Sequence, residues 1–122
     1  MGRHVLLIED EPHIAEAIRF ILTRDGWEVT THAEGVSALD RLRETRPDLL
    51  ILDVMLPGRS GYEILADLRA DPAMADLRVL MLSAKGQSRD REAAARAGAD
   101  LYMTKPFSNA EMLERVRALM VP

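Results

Sequence analysis

Three carboxylates, a hydroxyl and an amine follow four short apolar segments of the sequence. In chain order these residues are Glu9 and Asp10, Asp53, Ser83, and Lys105. Carboxylates that lie close together repel one another unless a cation or a proton intervenes. A hard divalent cation such as Mg²⁺ needs only one or two carboxylates, with water as its other ligands. With a lysine and a hydroxyl beside it, such a site would surround a phosphoryl group, and aspartate is a known covalent phosphoryl acceptor.

Each of these residues also has an ordinary structural interpretation. Asp53 could end its segment in a turn, and Glu9 and Asp10 could cap the next helix. Lys105 could be a solvated surface lysine and Ser83 a turn residue. Taken singly, these interpretations are the more frequent ones. Their joint placement after four apolar segments is what favours a shared site.

The apolar segments alternate with helical patterns, which determines how the polar residues are brought together. Leu49–Leu52 is apolar on both faces, which is typical of a strand in the middle of a parallel sheet. Five alternations of strand and helix predict an α/β fold with helices on both faces of a parallel sheet. Since all strands of such a sheet end at one edge, the polar residues should meet there. The predicted strands are Val5–Ile8, Val29–Thr31, Leu49–Asp53, Val79–Leu82 and Leu101–Met103.

Five helices are predicted from apolar residues at helical spacing and from residues typical of helix ends. Val36, Leu39 and Leu42 mark the second helix. Glu63 and Glu111 each follow a serine by three residues, which is the spacing of a capping box. The other four helices are predicted to begin near Pro12, Ser60, Ser88 and Ser108.

Composition narrows the class of protein. The chain has 122 residues, of which 48% are hydrophobic, and we expect one domain over residues 1–122. Its formal charge of −4 argues against nucleic-acid binding by this domain, and without cysteine there is no disulfide or thiolate metal site. No apolar run approaches a membrane span and no signal peptide is seen, so a cytoplasmic location without membrane contact is expected.

The motifs around these residues resemble the receiver domain of two-component response regulators over essentially the whole chain. The resemblance implies a flavodoxin-like (βα)5 fold, doubly wound, with strand order 2-1-3-4-5. It also implies a phosphorylation-activated signalling switch, which is not an enzyme although it assists its own phosphoryl transfer and dephosphorylation. The segments that carry the resemblance are Leu7–Glu11, Leu52–Gly58 with Gly61, Met81–Ala84, and Gly98–Phe107.

The resemblance implies a role for each residue of the site. Asp53 would accept the phosphoryl group from a sensor histidine kinase or a phosphotransfer protein. Mg²⁺ would be bound by Asp10, Asp53 and the backbone carbonyl of Met55, with Glu9 acting largely through water. The remaining implied features are phosphoryl binding by Lys105 and Ala84, a switch pair of Ser83 and Tyr102, and a cis Lys105–Pro106 bond.

The receivers that the chain resembles most are those of winged-helix transcription factors, in which a DNA-binding domain follows the receiver. Both a continuation into such a domain and a single-domain regulator are open. Phosphorylated receivers of that class form homodimers through the fourth helix, the fifth strand and the fifth helix. Arg91, Asp100, Glu111 and Arg115 match positions of that face, although Leu101 replaces the usual acidic partner of Arg115.

Two other functions are compatible with the predicted fold. A binding module that is not phosphorylated would be favoured by the loss of Asp53, Asp10 or Lys105, and all three are present. A metal-dependent hydrolase would need a further base and usually a cap segment, and the sequence offers neither. Phosphate incorporation from a small phosphodonor with Mg²⁺ separates these functions, because only a switch retains the phosphoryl group.

Overall fold

Strands and helices alternate along the chain as the sequence predicts. The computed structural model describes residues 3–84 and 88–120, with the backbone alone for residues 88–90. The strands are β1 (His4–Ile8), β2 (Glu28–His32), β3 (Leu49–Asp53), β4 (Arg78–Ser83) and β5 (Leu101–Thr104). The helices are α1 (Pro12–Arg24), α2 (Ala38–Thr45), α3 (Gly61–Ala70), α4 (Ser88–Ala97) and α5 (Asn109–Leu119).

The strands form one parallel sheet in the order β2-β1-β3-β4-β5, which confirms the predicted topology. β3 lies at the centre, where Leu52 pairs with Ile8 of β1 and Asp53 pairs with Leu82 of β4. Every residue of β3 is buried, as expected for a strand with helices on both sides. The carboxyl ends of β1, β3, β4 and β5 therefore meet at one edge.

Two apolar cores hold the sheet in place. Successive side chains of a strand point to opposite faces, so Leu50 and Ile51 of β3 enter different cores. One core lies against α1 and α5, and the other lies against α2, α3 and α4. Each large side chain that is fully buried contributes about 1.5–3 kcal/mol relative to exposure. Packing on both faces thus fixes the strand ends that carry the polar residues.

The predicted helix starts agree with the structure at two capping boxes. The Ser60 hydroxyl accepts a hydrogen bond from the Glu63 amide, and the Glu63 carboxylate accepts one from the Ser60 amide. Ser108 and Glu111 make the same reciprocal pair before α5. None of the helices in the described ranges has the length and apolar character needed to cross a bilayer.

The prediction for the second helix is wrong at Val36. This residue precedes α2, and 72% of its surface is exposed, while the helix buries Ala38 and Leu42. Val36 instead lies against Gly58 of the β3–α3 loop, since a Cβ atom on that glycine would be 2.6 Å from Val36 Cγ2. Helical spacing predicted Val36 as part of the helix, but α2 begins at Ala38 and Val36 lies in the turn before it.

Candidate functional site

The sheet edge brings the predicted polar residues into one crevice. Glu9 follows β1, Asp53 and Ser83 end β3 and β4, and Lys105 follows β5. Glu9, Asp53 and Ser83 are the only polar or charged residues that are buried in the described part of the chain, with at most 4% of their surface exposed. Burial of a charge is costly unless an opposite charge or hydrogen bonds compensate it, so the buried Glu9 and Asp53 carboxylates need such partners.

Three carboxylates meet at this edge. Glu9, Asp10 and Asp53 can each place one oxygen within 4.8 Å of the other two, and Asp10 is exposed to solvent. Oxygen ligands of this kind suit hard divalent cations. Oε1 of Glu9 is buried, and the Lys105 ammonium lies 2.8 Å from it. The residues present therefore fit a bound divalent metal ion.

Lys105 reaches two of the carboxylates. Its Nζ atom lies 2.8 Å from Oε1 of Glu9, an ion pair without good hydrogen-bond direction, and 3.4 Å from Oδ1 of Asp53. The Lys105 amide donates to the Ser83 carbonyl at 2.7 Å, which holds this loop beside the end of β4. The Lys105–Pro106 bond is cis, as predicted. Lys105 follows β5, and its ammonium group thus reaches the residues at the ends of β1 and β3, as expected from the sequence.

Burial sets the electrostatics of the site. Burial raises the pKa of Glu9 to about 7, from an ordinary value of 4.5. Contact with Lys105 and a hydrogen bond from the Glu11 amide, at 3.1 Å, act against this rise, whereas the charge of Asp53 adds to it. Burial alone would lower the pKa of Lys105, but its contacts with Glu9 and Asp53 outweigh burial and raise that pKa. The lysine therefore stays protonated and pairs with two of the three acidic side chains, Glu9 and Asp53.

Gly61 determines the surroundings of Asp53 and was identified from the sequence only as part of a motif. Its amide donates to the Val54 carbonyl at 2.8 Å, so α3 begins directly against the end of β3. A Cβ atom at Gly61 would lie 2.4 Å from the Asp53 carbonyl oxygen, a backbone atom that moves only if the strand end or the helix start shifts. The Met55 amide approaches Oδ1 of Asp53 at 3.4 Å. A glycine is therefore required where the helix meets the strand.

The predicted switch residues lie on neighbouring strands. Tyr102 pairs with Met81 and Thr104 pairs with Ser83, so alternation places Ser83 and Tyr102 on the same face of the sheet. Ser83 is buried and Tyr102 is partly buried against the core of α2, α3 and α4. Arg91 of α4 has its guanidinium carbon 6.0 Å from the centre of the Tyr102 ring. This arrangement is compatible with a coupled pair, whose role remains a prediction.

Other predicted residues lie away from this edge. Glu111 and Arg115 form an ion pair of 3.8 Å within α5. Asp100 is bonded inside the chain, where its Oδ2 accepts from the Val79 amide at 2.8 Å and from Arg69 at 3.0 Å. No pattern in the sequence pointed to Arg69, because its contact with Asp100 joins residues 31 positions apart. Pairing of these residues across a dimer stays a prediction.

Comparison with known proteins agrees with this geometry. The family model described as the response regulator receiver domain matches residues 5–117. The chain belongs to the response regulator receiver family. This receiver domain is therefore a signalling domain of two-component systems, as the motifs indicated.

Relatives of this receiver domain include transcriptional regulators. It is 40% identical over 120 residues to the phosphate regulon transcriptional regulatory protein PhoB of Escherichia coli, covering 98% of this chain and 52% of the relative. It is 43% identical over 117 residues to the transcriptional regulatory protein CseB of Streptomyces coelicolor, covering 96% and 49%. The chain thus spans about half the length of the curated relatives it matches.

Solved receivers share the fold of this domain. The chemotaxis response regulator CheY4 of Vibrio cholerae superimposes with a TM-score of 0.92 at 26% identity, covering 98% of this chain and 100% of the other. The BeF3-activated N-terminal receiver domain of Klebsiella pneumoniae RstA gives 0.89 at 26% identity, covering 97% and 99%. The predicted flavodoxin-like architecture is confirmed.

Proposed function

We propose that this receiver domain is a phosphorylation-controlled switch in which Asp53 accepts a phosphoryl group from a sensor histidine kinase or a phosphotransfer protein. The observation that carries the proposal is the position of Asp53, a buried carboxylate at the end of the central strand, 3.4 Å from the Lys105 ammonium and beside Glu9 and Asp10. An oxygen of Asp53 forms a bond to phosphorus while the bond from phosphorus to the donor imidazole nitrogen breaks. The electron pair of that bond leaves with the nitrogen.

The carboxylate cluster supports Mg²⁺ as the cofactor of this transfer. Asp10, Asp53 and the backbone carbonyl of Met55 would hold the ion, with Glu9 acting through water. Bound Mg²⁺ supplies positive charge to the phosphoryl oxygens and orients them. Support comes from the three carboxylates, which can each place an oxygen within 4.8 Å of the other two, and from the burial of Glu9 and Asp53. Asp10→Asn should weaken Mg²⁺ binding strongly, which calorimetry would measure.

The remaining site residues respond to the phosphoryl group. Lys105 is close enough to Asp53 to bind a phosphoryl oxygen after the transfer. Ser83 ends β4 and Ala84 follows it at the same edge, and both would also bind phosphoryl oxygens. Inward movement of the Ser83 hydroxyl would let Tyr102 take the space that it leaves, which is a two-state packing biased by new phosphoryl contacts. The domain would also assist its own dephosphorylation.

The output of the switch is proposed from the relatives. PhoB and CseB are transcriptional regulatory proteins about twice as long as this chain. We infer that the natural protein continues into a DNA-binding output domain and acts in the cytoplasm. The receiver itself, with a formal charge of −4, would signal through α4, β5 and α5 and would not contact DNA.

Phosphorylation by acetyl phosphate tests the assignment. The domain is incubated with the phosphodonor and Mg²⁺, and the modified peptide is mapped by mass spectrometry. We expect stable phosphate on Asp53, none in Asp53→Asn, and normal incorporation in Asp40→Asn, whose side chain is 81% exposed on α2. Absence of incorporation would favour a binding module, rapid release would favour a hydrolase, and modification of another residue would overturn the role of Asp53.

A further inference from the structure

Arg69, in the last turn of α3, uses all five N–H donors of its guanidinium group. Nε and Nη2 donate to the Gly98 carbonyl at 3.0 and 2.8 Å, and Nη2 also donates to Oδ2 of Asp100 at 3.0 Å. Nη1 donates to the carbonyls of Ala75 and Leu77 at 2.9 and 2.6 Å. A guanidinium group has five donors in a rigid planar fork, so no other side chain could make this set of bonds.

These bonds join four elements at the edge of the sheet opposite the acidic cluster. Ala75 and Leu77 belong to the loop between α3 and β4, and Gly98 and Asp100 belong to the turn between α4 and β5. The Asp100 carboxylate also accepts from the Val79 amide at 2.8 Å, and the Asp100 amide donates to the Val79 carbonyl at 3.0 Å. The end of α3, the start of β4, the end of α4 and the start of β5 are thus bonded together.

The turn after α4 is shaped to receive Arg69. Gly98 has a φ of +103°, which favours glycine, and a Cβ atom there would lie 3.1 Å from Cγ of Arg69. The Gly98 amide donates to Ala95 and the Ala99 amide donates to Ala94, the pair of bonds that closes a helix in a Schellman motif. With the Gly98 carbonyl held by Arg69, the end of α4 is fixed both within its own helix and against α3.

We propose that Arg69 is a positioning residue of the switch, which fixes the C-terminal end of α4 and the start of β5 against α3. A helix that is held at one end changes its orientation only by moving the other end. Rearrangement after phosphorylation is therefore confined to the ends of α4 and β5 that lie towards Ser83. The proposal rests on the proposed function of Asp53. It also assigns Asp100 an action inside its own chain, through Arg69, in place of the expected contact across a dimer.

Amide hydrogen exchange, followed by NMR with and without beryllofluoride and Mg²⁺, tests this role. In the wild-type domain, beryllofluoride should change exchange near Ser83 and Tyr102 and leave residues 94–100 unchanged. Arg69→Met removes all five donors and keeps the aliphatic stem, so amides 94–100 should exchange about tenfold faster and should now respond to beryllofluoride. Arg69→Lys should restore this protection in part, because it keeps the charge beside Asp100. Arg78→Met is the matched control, since Arg78 reaches Asp100 only by an ion pair of 3.9 Å.

Two results would overturn the proposal. One is unchanged protection of residues 94–100 in Arg69→Met, and the other is a wild-type response to beryllofluoride as large there as near Ser83. If beryllofluoride changes no amide anywhere, the proposed function of Asp53 fails, while protection in Arg69→Met still decides the role of Arg69. Should Arg69→Met not fold, Asp100→Asn replaces it, because an amide oxygen can still accept from Val79 but the ion pair is lost. A smaller increase in exchange at residues 98–100 is then expected, because four of the five Arg69 bonds remain, and its absence counts against the proposal.

Discussion

The ammonium group of Lys105 lies nearer to Glu9, at 2.8 Å, than to Asp53, at 3.4 Å. In the unmodified domain, the lysine is therefore paired mainly with Glu9 and not with Asp53, the proposed phosphoryl acceptor. A phosphoryl group on Asp53 would bring more negative charge to the same crevice and would compete with Glu9 for this ammonium. Under the proposed function, the lysine would respond to the change at Asp53 from a position in which it already compensates a buried charge.

Replacing Lys105 should show how much its positive charge stabilises the fold beside the buried carboxylates. Lys105→Met leaves Glu9 and Asp53 buried without their cation, so the free energy of unfolding in metal-free buffer should fall by about 1–3 kcal/mol. Saturating Mg²⁺ should reduce this loss, because the ion supplies positive charge to the same carboxylates. Urea denaturation with and without Mg²⁺ measures both effects. Arg41→Met is the control, since its ion pair with Glu44 is on the surface and should contribute little in either buffer. Equal losses with and without metal would contradict a metal site beside Lys105.

Gly61→Ala tests the close contact between α3 and β3. The added methyl would lie 2.4 Å from the Asp53 carbonyl oxygen, so the strand end or the helix start must shift. Such overpacking costs about 1–3 kcal/mol, and the displaced Asp53 should be phosphorylated more slowly by acetyl phosphate. Ala66→Gly, on the exposed side of α3, lowers stability by about 1 kcal/mol through helix propensity and should leave the phosphorylation rate unchanged. If Gly61→Ala, like Ala66→Gly, is less stable but is phosphorylated at the wild-type rate, Gly61 affects stability alone.

The sequence predicted the parts of the molecule that depend on local pattern. β3 was recognised because a run of large apolar residues ends at Asp53, and parallel topology then placed Glu9 and Lys105 beside it. The position of Val36 and the bonds of Arg69 were not predictable in this way. The Arg69 bonds join a helix to turns elsewhere in the chain, and Val36 lies beside Gly58 of another loop; periodicity carries no information about such contacts. The side chain that links α3 to α4 therefore became apparent only from the structure.

Stability at low pH should depend on Asp25, which follows α1. Arg117 of α5 contacts Asp25 at 2.6 Å and lowers its pKa below the ordinary value of 3.8, and Arg3 at 3.4 Å acts in the same direction. Because the pKa is lower in the folded state, the stabilisation is present above the ordinary pKa and is lost as the pH falls through the lowered one. Asp25→Asn should therefore be less stable than the wild type at neutral pH, with a difference that shrinks as the pH falls below the ordinary pKa of 3.8.

Trp27 reports this unfolding directly. It is the single tryptophan of the chain and is buried next to Arg3, whose guanidinium carbon lies 5.2 Å from the ring centre. Urea titrations followed by its fluorescence at several pH values give the required stabilities. Asp40→Asn is the control, because its ion pair with Arg43 is exposed on α2. A difference between Asp25→Asn and the wild type that stays constant over the whole range would refute the role of the Asp25 carboxylate.

Self-association of the activated domain is expected through α4, β5 and α5. In a two-fold dimer, Arg91 of one subunit would meet Glu111 of the other. Exposed pairs contribute only about 0–1 kcal/mol each, and Glu111 is also shared with Arg115 at 3.8 Å in its own helix. Beryllofluoride with Mg²⁺ should raise the dimer fraction in sedimentation, and Arg91→Glu should lower it.

A charge exchange distinguishes a specific pair from a general effect of charge. Arg91→Glu combined with Glu111→Arg should restore the dimer, whereas Glu111→Arg alone should not. Glu111→Arg alone is needed as a control because Glu111 also accepts from the Ser108 amide. The capping box of α5 is therefore lost in both the single and the double variant. A restored dimer in the double variant therefore cannot come from the cap, and it requires that residues 91 and 111 face each other across the interface. An activated domain that stays monomeric at high concentration would instead indicate that this face binds a different protein.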